Sequence, residues 1–307
     1  MSRLFHYTLH RRLLASDCEL SGVQPAEAGD ADLTLRLRTR ATAPSATPWY
    51  RTETTHADDA IVIDRTVDGA LVMRFADATS FLIDARGSMI ELLTTPPHYT
   101  DADLAAYALG PVLAVALHAR GAVLLHAASV VMRDKAVLFA GTSGAGKSTT
   151  AAILHRHGYE VLSDDLTEID DALHALPSLA AIRLWPDIVE ALHGSVDAFP
   201  DRAPSWDKKL VRVNAASEAR PLAAILFLDA RADAARLQRL EPRGGWQRLI
   251  ANVFTAKLPD PEMTRKMFDV TSALVDRVPL FAFSAPPITD ADELPEFLDH
   301  ELAEWLR

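Results

Sequence analysis

The run Gly141-Thr142-Ser143-Gly144-Ala145-Gly146-Lys147-Ser148-Thr149 limits this chain more than any other feature. It follows a continuous apolar stretch, Ala136-Val137-Leu138-Phe139-Ala140, and precedes a helical pattern that ends near His157, with Gly158 as terminator. Such an apolar run reads as a strand buried on both faces. Strand, glycine-rich loop and helix together satisfy G-x-x-x-x-G-K-[ST] in the context that pattern requires. Backbone N–H groups of such a loop converge on phosphate oxygens, and the helix N-terminus adds positive potential. Lys147 would reach the β- and γ-phosphates, and the Ser148 hydroxyl would ligate Mg²⁺. The expectation is an α/β chain that binds ATP and Mg²⁺, with GTP and pyrophosphate open as alternative donors.

A second strand, Tyr159–Leu162, is expected to end at Ser163-Asp164-Asp165. Strand, loop, helix and strand form the βαβ unit of a parallel or mixed sheet. Both carboxylates then fall at the sheet edge that carries the phosphate loop. One suits Mg²⁺, directly or through water, and the other suits proton removal from an attacking hydroxyl. A solvated acidic turn or a helix cap is the plainer alternative. A rival metal acid exists in Asp229, at the end of the apolar run Leu222–Leu228. If Asp229 holds the metal, the chain looks more like a general ATPase.

The stretch Leu125 to Asp165 resembles the catalytic domain of the HPr serine kinase/phosphorylase family. Members carry a His fifteen positions before the first loop glycine, which is His126 here, and an Asp pair seventeen and eighteen positions after the loop lysine, which is Asp164 and Asp165. The resemblance weakens toward residue 215 and is weakest over the first 100. It implies that Asp165 is the base, that Asp164 is its metal-side partner, and that His126 sits near the transferred phosphate. Two positions depart from the pattern. Thr142 stands where the family has Asp, and Ala181 stands where it has a metal-binding Glu before the Ile-Arg pair, here Ile182-Arg183. Glu190 lies at the family's distance from Asp165 but outside the motif. The run Pro177 to Asp187 and the basic pair after Trp206-Asp207 look more like divergent members, a group that includes kinases of lasso peptide precursors.

Other candidates have two readings each. His126 is a reacting group or a satisfied core histidine. Arg183 clamps a phosphate or makes a surface ion pair. Lys208 and Lys209 meet phosphate or an acidic substrate, or are simply solvated. Trp185 and Trp206 flank a ligand or pack. The amphipathic segment Asp290–Arg307 docks on its own domain or contacts another subunit, and the resemblance implies a homo-oligomer.

Residues 1–100 carry short β-like runs, Leu33–Leu37, Ala60–Ile63, Ala70–Met73 and Ser80–Ile83, with a hairpin signal at Asp68-Gly69 and a loop over Ala41–Pro48. They are read as a small β-rich domain ending at Thr94-Thr95-Pro96-Pro97. Residues 101–307 are read as the P-loop kinase domain, with a mixed sheet and a first helix from an Asp101 cap to about Ala119. Ala122–Met132 is expected as one strand. A net charge of −11 disfavours nucleic acid as a partner. The single cysteine, Cys18, fits a reducing compartment. No signal peptide is read at the start, and His118, Arg120 and His126 argue against a membrane span in the apolar window Leu113–Met132. A cytoplasmic protein is expected. The leading expectation is a Mg·ATP-dependent kinase acting on a Ser or Thr hydroxyl of a small protein or peptide. A small-molecule kinase and a nucleotide-gated binding protein or slow ATPase remain the alternatives.

Overall fold

Alternating buried and exposed residues, clearest in Leu33, Leu35 and Leu37, build a sheet from the first part of the chain. The computed structural model describes residues 3–52, 60–230, 232–288 and 291–307. Nine strands form this sheet: β1 (Phe5–Leu9), β2 (Arg12–Ser16), β3 (Gln24–Pro25), β4 (Leu33–Arg40), β5 (Thr47–Arg51), β6 (Ile61–Arg65), β7 (Leu71–Phe75), β8 (Ser80–Ile83) and β9 (Met89–Thr94). Their order is β3-β1-β2-β4-β9-β8-β7-β6-β5, with β4 parallel to both β2 and β9. The four expected runs fall on β4, β6, β7 and β8. Gly69, at φ +91°, makes the turn between β6 and β7. The expected loop ends earlier than read, because β5 begins at Thr47. Pro48 is tolerated there because β5 is an edge strand.

The helical stretch after β9 is broken. Helix α1 (Asp101–Tyr107) leads into a π-helical turn (Ala108–Val112) and then α2 (Leu113–Ala119). Gly110 leaves helical geometry (φ −115°, ψ −114°), and Pro111 has no N–H to continue the ladder. The cap is Thr100, not Asp101. Its hydroxyl accepts from the Asp103 N–H, and Asp103 Oδ2 accepts from the Thr100 N–H at 2.8 Å. Asp103 completes a capping box that Asp101 has no residue at the right spacing to supply. The stretch Asp101–Ala119 has the length and mean hydropathy (1.5) of a membrane span, but 78% of it is buried inside the molecule.

The chain divides into two compact units. One comprises Met1–Ala122, Arg202–Trp206 and Lys257–Met263; the other holds Val123–Asp201, Asp207–Ala256 and Thr264–Arg307. The division therefore falls after Ala122, whereas composition suggested residue 100. Packing explains the difference. Tyr107 lies against Phe75 and Phe81, its hydroxyl donates to Asp77 Oδ2, and a Cβ on Gly87 would stand 2.0 Å from the Ala116 carbonyl oxygen. Such contacts are long-range in sequence and invisible to a composition shift.

The second unit is mixed α/β. From Val123 onward the elements are β10 (Val123–Leu125), β11 (Ala127–Met132), β12 (Lys135–Ala140), α3 (Lys147–Arg156), β13 (Val161–Ser163), β14 (Thr167–Ile169), β15 (His174–Ala175), β16 (Ala181–Leu184), α4 (Pro186–His193), β17 (Asp201–Ala203), β18 (Trp206–Arg212), β19 (Arg220–Leu228), β20 (Arg236–Arg239), α5 (Pro242–Ala251), α6 (Pro261–Arg277), β21 (Leu280–Ser284) and α7 (Leu294–Glu301), of which β17, β18 and α6 belong in part to the first unit. The main sheet runs β10-β14-β15-β19-β12-β11-β13, with β21 on β19 and β20 on β21. β12, β19 and β21 are parallel, so the two uninterrupted apolar runs lie side by side in its centre. A second sheet holds β16, β18 and β17. Leu154 of α3, Phe139, Leu226 and Phe283 share one core with Leu294, Leu298, Leu302 and Leu306. The C-terminal segment thus docks on its own unit; Asp290, expected at its start, lies outside the described residues.

Candidate active site

The expected single strand Ala122–Met132 is interrupted at His126. β10 pairs with β14, while β11 pairs with β12 and β13, and His126 lies at the changeover. Its N–H donates to the Asn252 carbonyl (2.7 Å), and the Thr167 hydroxyl donates to the neighbouring Ala127 carbonyl (3.0 Å). The break frees the imidazole from the core. It reaches Asp165, with Nε2 3.0 Å from Oδ1, and meets the Phe254 ring edge-on. The core-histidine reading fails on this geometry.

β12 delivers the loop to the end of the central sheet, as expected. Gly141 is wedged there: a Cβ would come within 3.3 Å of the Leu228 carbonyl oxygen. Gly146, at φ +103°, is the N-cap of α3 and offers no side-chain acceptor, so the leading amides of the helix are left without internal partners. Lys147 is buried, and its ammonium donates to the carbonyls of Gly141 (2.9 Å) and Thr142 (3.0 Å). Burial lowers its pKa, against the opposing pull of Asp165 and Asp164.

The two aspartates separate by role. Asp164 is 1% exposed. Its Oδ1 accepts from the Ser148 hydroxyl (2.6 Å), and its Oδ2 accepts from the Arg183 N–H (3.0 Å). Asp165 turns outward on a left-handed residue, φ +79°, with a side chain 36% exposed. Asp is among the few types that adopt this backbone readily. Its Oδ2 lies 3.1 Å from Arg183 Nη2. A hydroxyl chain runs beneath the pair: Ser129 Oγ is 2.7 Å from Ser163 Oγ, which in turn bonds Thr167 Oγ1. The solvated-turn reading does not describe these carboxylates.

Arg183 is no surface ion pair. It is 6% exposed and spans both carboxylates, with Nε 3.4 Å from Asp164 Oδ2 and Nη2 donating also to the Asp164 carbonyl (3.0 Å). Burial alone would lower its pKa, but Asp165 and Asp164 outweigh burial and raise it. Arg183 is thus a fixed cation at the base of the site.

A cleft of about 300 Å³ opens over this constellation. Ser143, Gly144, Gly146, Lys147, Ser148 and Thr149 line one wall. His126, Asp165 and Arg183 also line it, and Leu184, Trp185, Ile188 and Lys208 complete the wall. Trp185 is 49% exposed, and the Lys208 ammonium lies 5.3 Å from its ring centroid. Lys209 is not brought here. Neighbours on a strand face opposite ways, and Lys209 Nζ sits 2.7 Å from Asp201 instead. Ala181 is fully buried on β16, and Glu190 is exposed on α4. Neither supplies a carboxylate to the cleft. Asp229 pairs with Arg248 (2.7 Å), whereas Asp164 takes the Ser148 hydroxyl, so Asp164 is the acid on Ser148.

Among the described residues no group of three or more His, Cys, Asp or Glu side chains could hold a metal ion. A Ser148–Asp164 pair is the pattern expected where Mg²⁺ takes most of its ligands from phosphate and water. The open amides at Gly146, the paired Ser148 and Asp164, and a buried lysine fit a Mg-nucleotide. Asn252, Thr167 and Phe254 were missed in the sequence, where none stands in a recognisable spacing. No family model matches the chain, and no curated protein matches it.

Proposed function

We propose that this chain is a Mg·ATP-dependent kinase that phosphorylates a Ser or Thr hydroxyl of a small protein or peptide, on an HPr-kinase-like P-loop domain preceded by a β-rich N-terminal domain, in the cytoplasm and as a homo-oligomer. One observation carries the reading. A solvent-reaching carboxylate, Asp165, is held between His126 and Arg183 in the cleft that the phosphate loop lines. The motif spacing that resembles HPr kinases supports it.

Bound MgATP would supply the transferable phosphoryl group and the divalent charge that neutralises it. The loop residues that line the cleft, Ser143, Gly144 and Gly146 to Thr149, bind the phosphates through their amides, and Lys147 adds a positive charge. Ser148 and Asp164 hold the metal side, with Asp164 fixing the hydroxyl orientation. Asp165 accepts the proton of the acceptor hydroxyl. His126 on Oδ1 and Arg183 on Oδ2 hold that carboxylate aimed. Trp185 and Lys208 offer the acceptor an aromatic face and a cation. Most of the rate enhancement in such a site is positioning and electrostatics.

The test is transfer from γ-labelled ATP with Mg²⁺ to serine-bearing peptides and to HPr-like proteins, with wild type and Asp165→Asn side by side. Asn tolerates the left-handed backbone, so the variant keeps its fold. Label that reaches a peptide or protein and falls about a thousandfold in the variant supports the kinase. ATP consumption without macromolecular label redirects the search to small-molecule acceptors. Identical behaviour of both proteins, with binding but no transfer, replaces the kinase by a nucleotide-gated binding protein.

A further inference from the structure

One residue outside every recognised motif touches both halves of the site. Asn252 caps the C-terminus of α5. Its Oδ1 accepts the N–H of Gly141, the first loop residue, at 2.9 Å. Its Nδ2 donates to the Arg248 carbonyl at 2.8 Å. Its own carbonyl accepts the N–H of His126 at 2.7 Å. The next residues continue the join. Val253 bridges Leu125, the Phe254 N–H donates to the Leu124 carbonyl (2.9 Å), and the Phe254 ring meets the His126 imidazole.

We propose that Asn252 is a positioning residue that sets His126 and the phosphate loop relative to one another. The chemistry dictates the residue type. Gly141 presents a donor and Arg248 an acceptor, and a short carboxamide is the side chain that answers both. Aspartate would face a carboxylate oxygen toward the Arg248 carbonyl, and leucine would leave both groups unpaired. The mount is itself fixed, because Arg248 one turn earlier pairs with Asp229 at the end of β19. This gives the rival acid Asp229 a role: it anchors α5 beside the loop. Asn252 therefore transmits one position to two places. Gly141 is where the loop leaves β12, and His126 is where β10 breaks from β11.

The inference rests on the proposed function in taking MgATP as the loop's ligand and in valuing the His126–Asp165 pair, and its test does not need transfer. Asn252→Ala and Asn252→Asp are compared with wild type by two readouts. One is the affinity for MgATP by calorimetry. The other is the NMR ring resonance of His126, identified by its disappearance in His126→Gln. The alanine variant is expected to weaken MgATP binding about tenfold and to shift the His126 resonance. The aspartate variant keeps the acceptor for Gly141, so both its MgATP affinity and its His126 resonance are expected to lie closer to wild type than the alanine variant's. If the alanine variant lowers the unfolding midpoint while both readouts stay at wild-type values, Asn252 is only a helix cap and the proposal fails. Movement of one readout without the other also overturns it, since the claim is that one residue holds both. Should the alanine variant not fold, Asn252→Ser carries the same comparison. A wild type that binds MgATP and never transfers phosphate would defeat the kinase reading and leave this one standing or falling on its own data.

Discussion

The two units pair their acids differently. In the first, several acids close on backbone or hydroxyls, though buried Asp64 pairs with Arg74. Asp17 takes the N–H groups of Leu37 and Arg38, Asp84 takes those of Ser88 and Met89, and Asp77 takes the hydroxyls of Tyr99 and Tyr107. Cys18 is fully buried, and burial pushes its thiol up to about 11. In the second, the buried groups face one another around one opening. Ser148, Asp164, Asp165, Arg183 and His126 bond one another, from α3, β16, the turn after β13 and the break between β10 and β11, and Lys147 lies within the field of both aspartates. The difference separates structure from chemistry. Buried charges of opposite sign gathered at a cleft are where pKa values move and ligands bind.

Perturbing each unit sharpens that contrast. The largest effect is the loss of transfer in Asp165→Asn, with MgATP affinity changed only a few-fold. Next is Arg183→Leu, which removes the buried cation beside Asp164 and Asp165. It is expected to lower unfolding stability by about 3–5 kcal/mol in denaturant titration, and nucleotide binding should weaken with it. An unchanged midpoint would remove Arg183 from the centre of the site. In the first unit, Asp103→Ala removes the acceptors for Thr100 and for the Ser205 N–H (2.9 Å). A cost of about 1–3 kcal/mol is expected, with MgATP affinity unmoved. If affinity falls as well, the two units are not separable in this way.

The smallest effects are in pH. Burial pushes the Asp103 carboxyl up, but the bonds from Thr100 and Ser205 outweigh it, and its pKa is lowered on folding. Its contribution is therefore complete above the ordinary carboxylate range and is lost as pH falls through the lowered value. Cys18 works at the other end. Its folded pKa is raised from 9.0 to about 11, so the stability from keeping the thiol neutral is complete below pH 9 and is lost as pH climbs toward 11. Alkylation of native protein at pH 8 should accordingly be at least about a hundredfold slower than of unfolded protein. Equal rates would show that the first unit opens readily.

Much of the site was legible along the chain because its parts are local. The loop, Asp164 and Asp165 lie within one βαβ segment, and the ranges of β4, β7, β8 and α3 follow from period and punctuation. Thr100 rather than Asp101 as the cap, and the break at Gly110-Pro111, were also readable in principle, since Asp103 stands three residues after Thr100 and proline cannot continue a helix.

Sequence alone named the candidates for holding phosphate and for carrying a proton, because a glycine loop, a lysine, a hydroxyl and paired carboxylates have chemistry suited to those tasks in any fold. Tertiary structure decided their division of labour. It buried Asp164 against Ser148 and turned Asp165 to the cleft, sank Arg183 between them, sent Lys209 to Asp201, and tied Asp229 to Arg248. It also brought Asn252 to Gly141, 111 residues away. Burial and partner choice depend on contacts between segments far apart in the chain, and no local spacing encodes them.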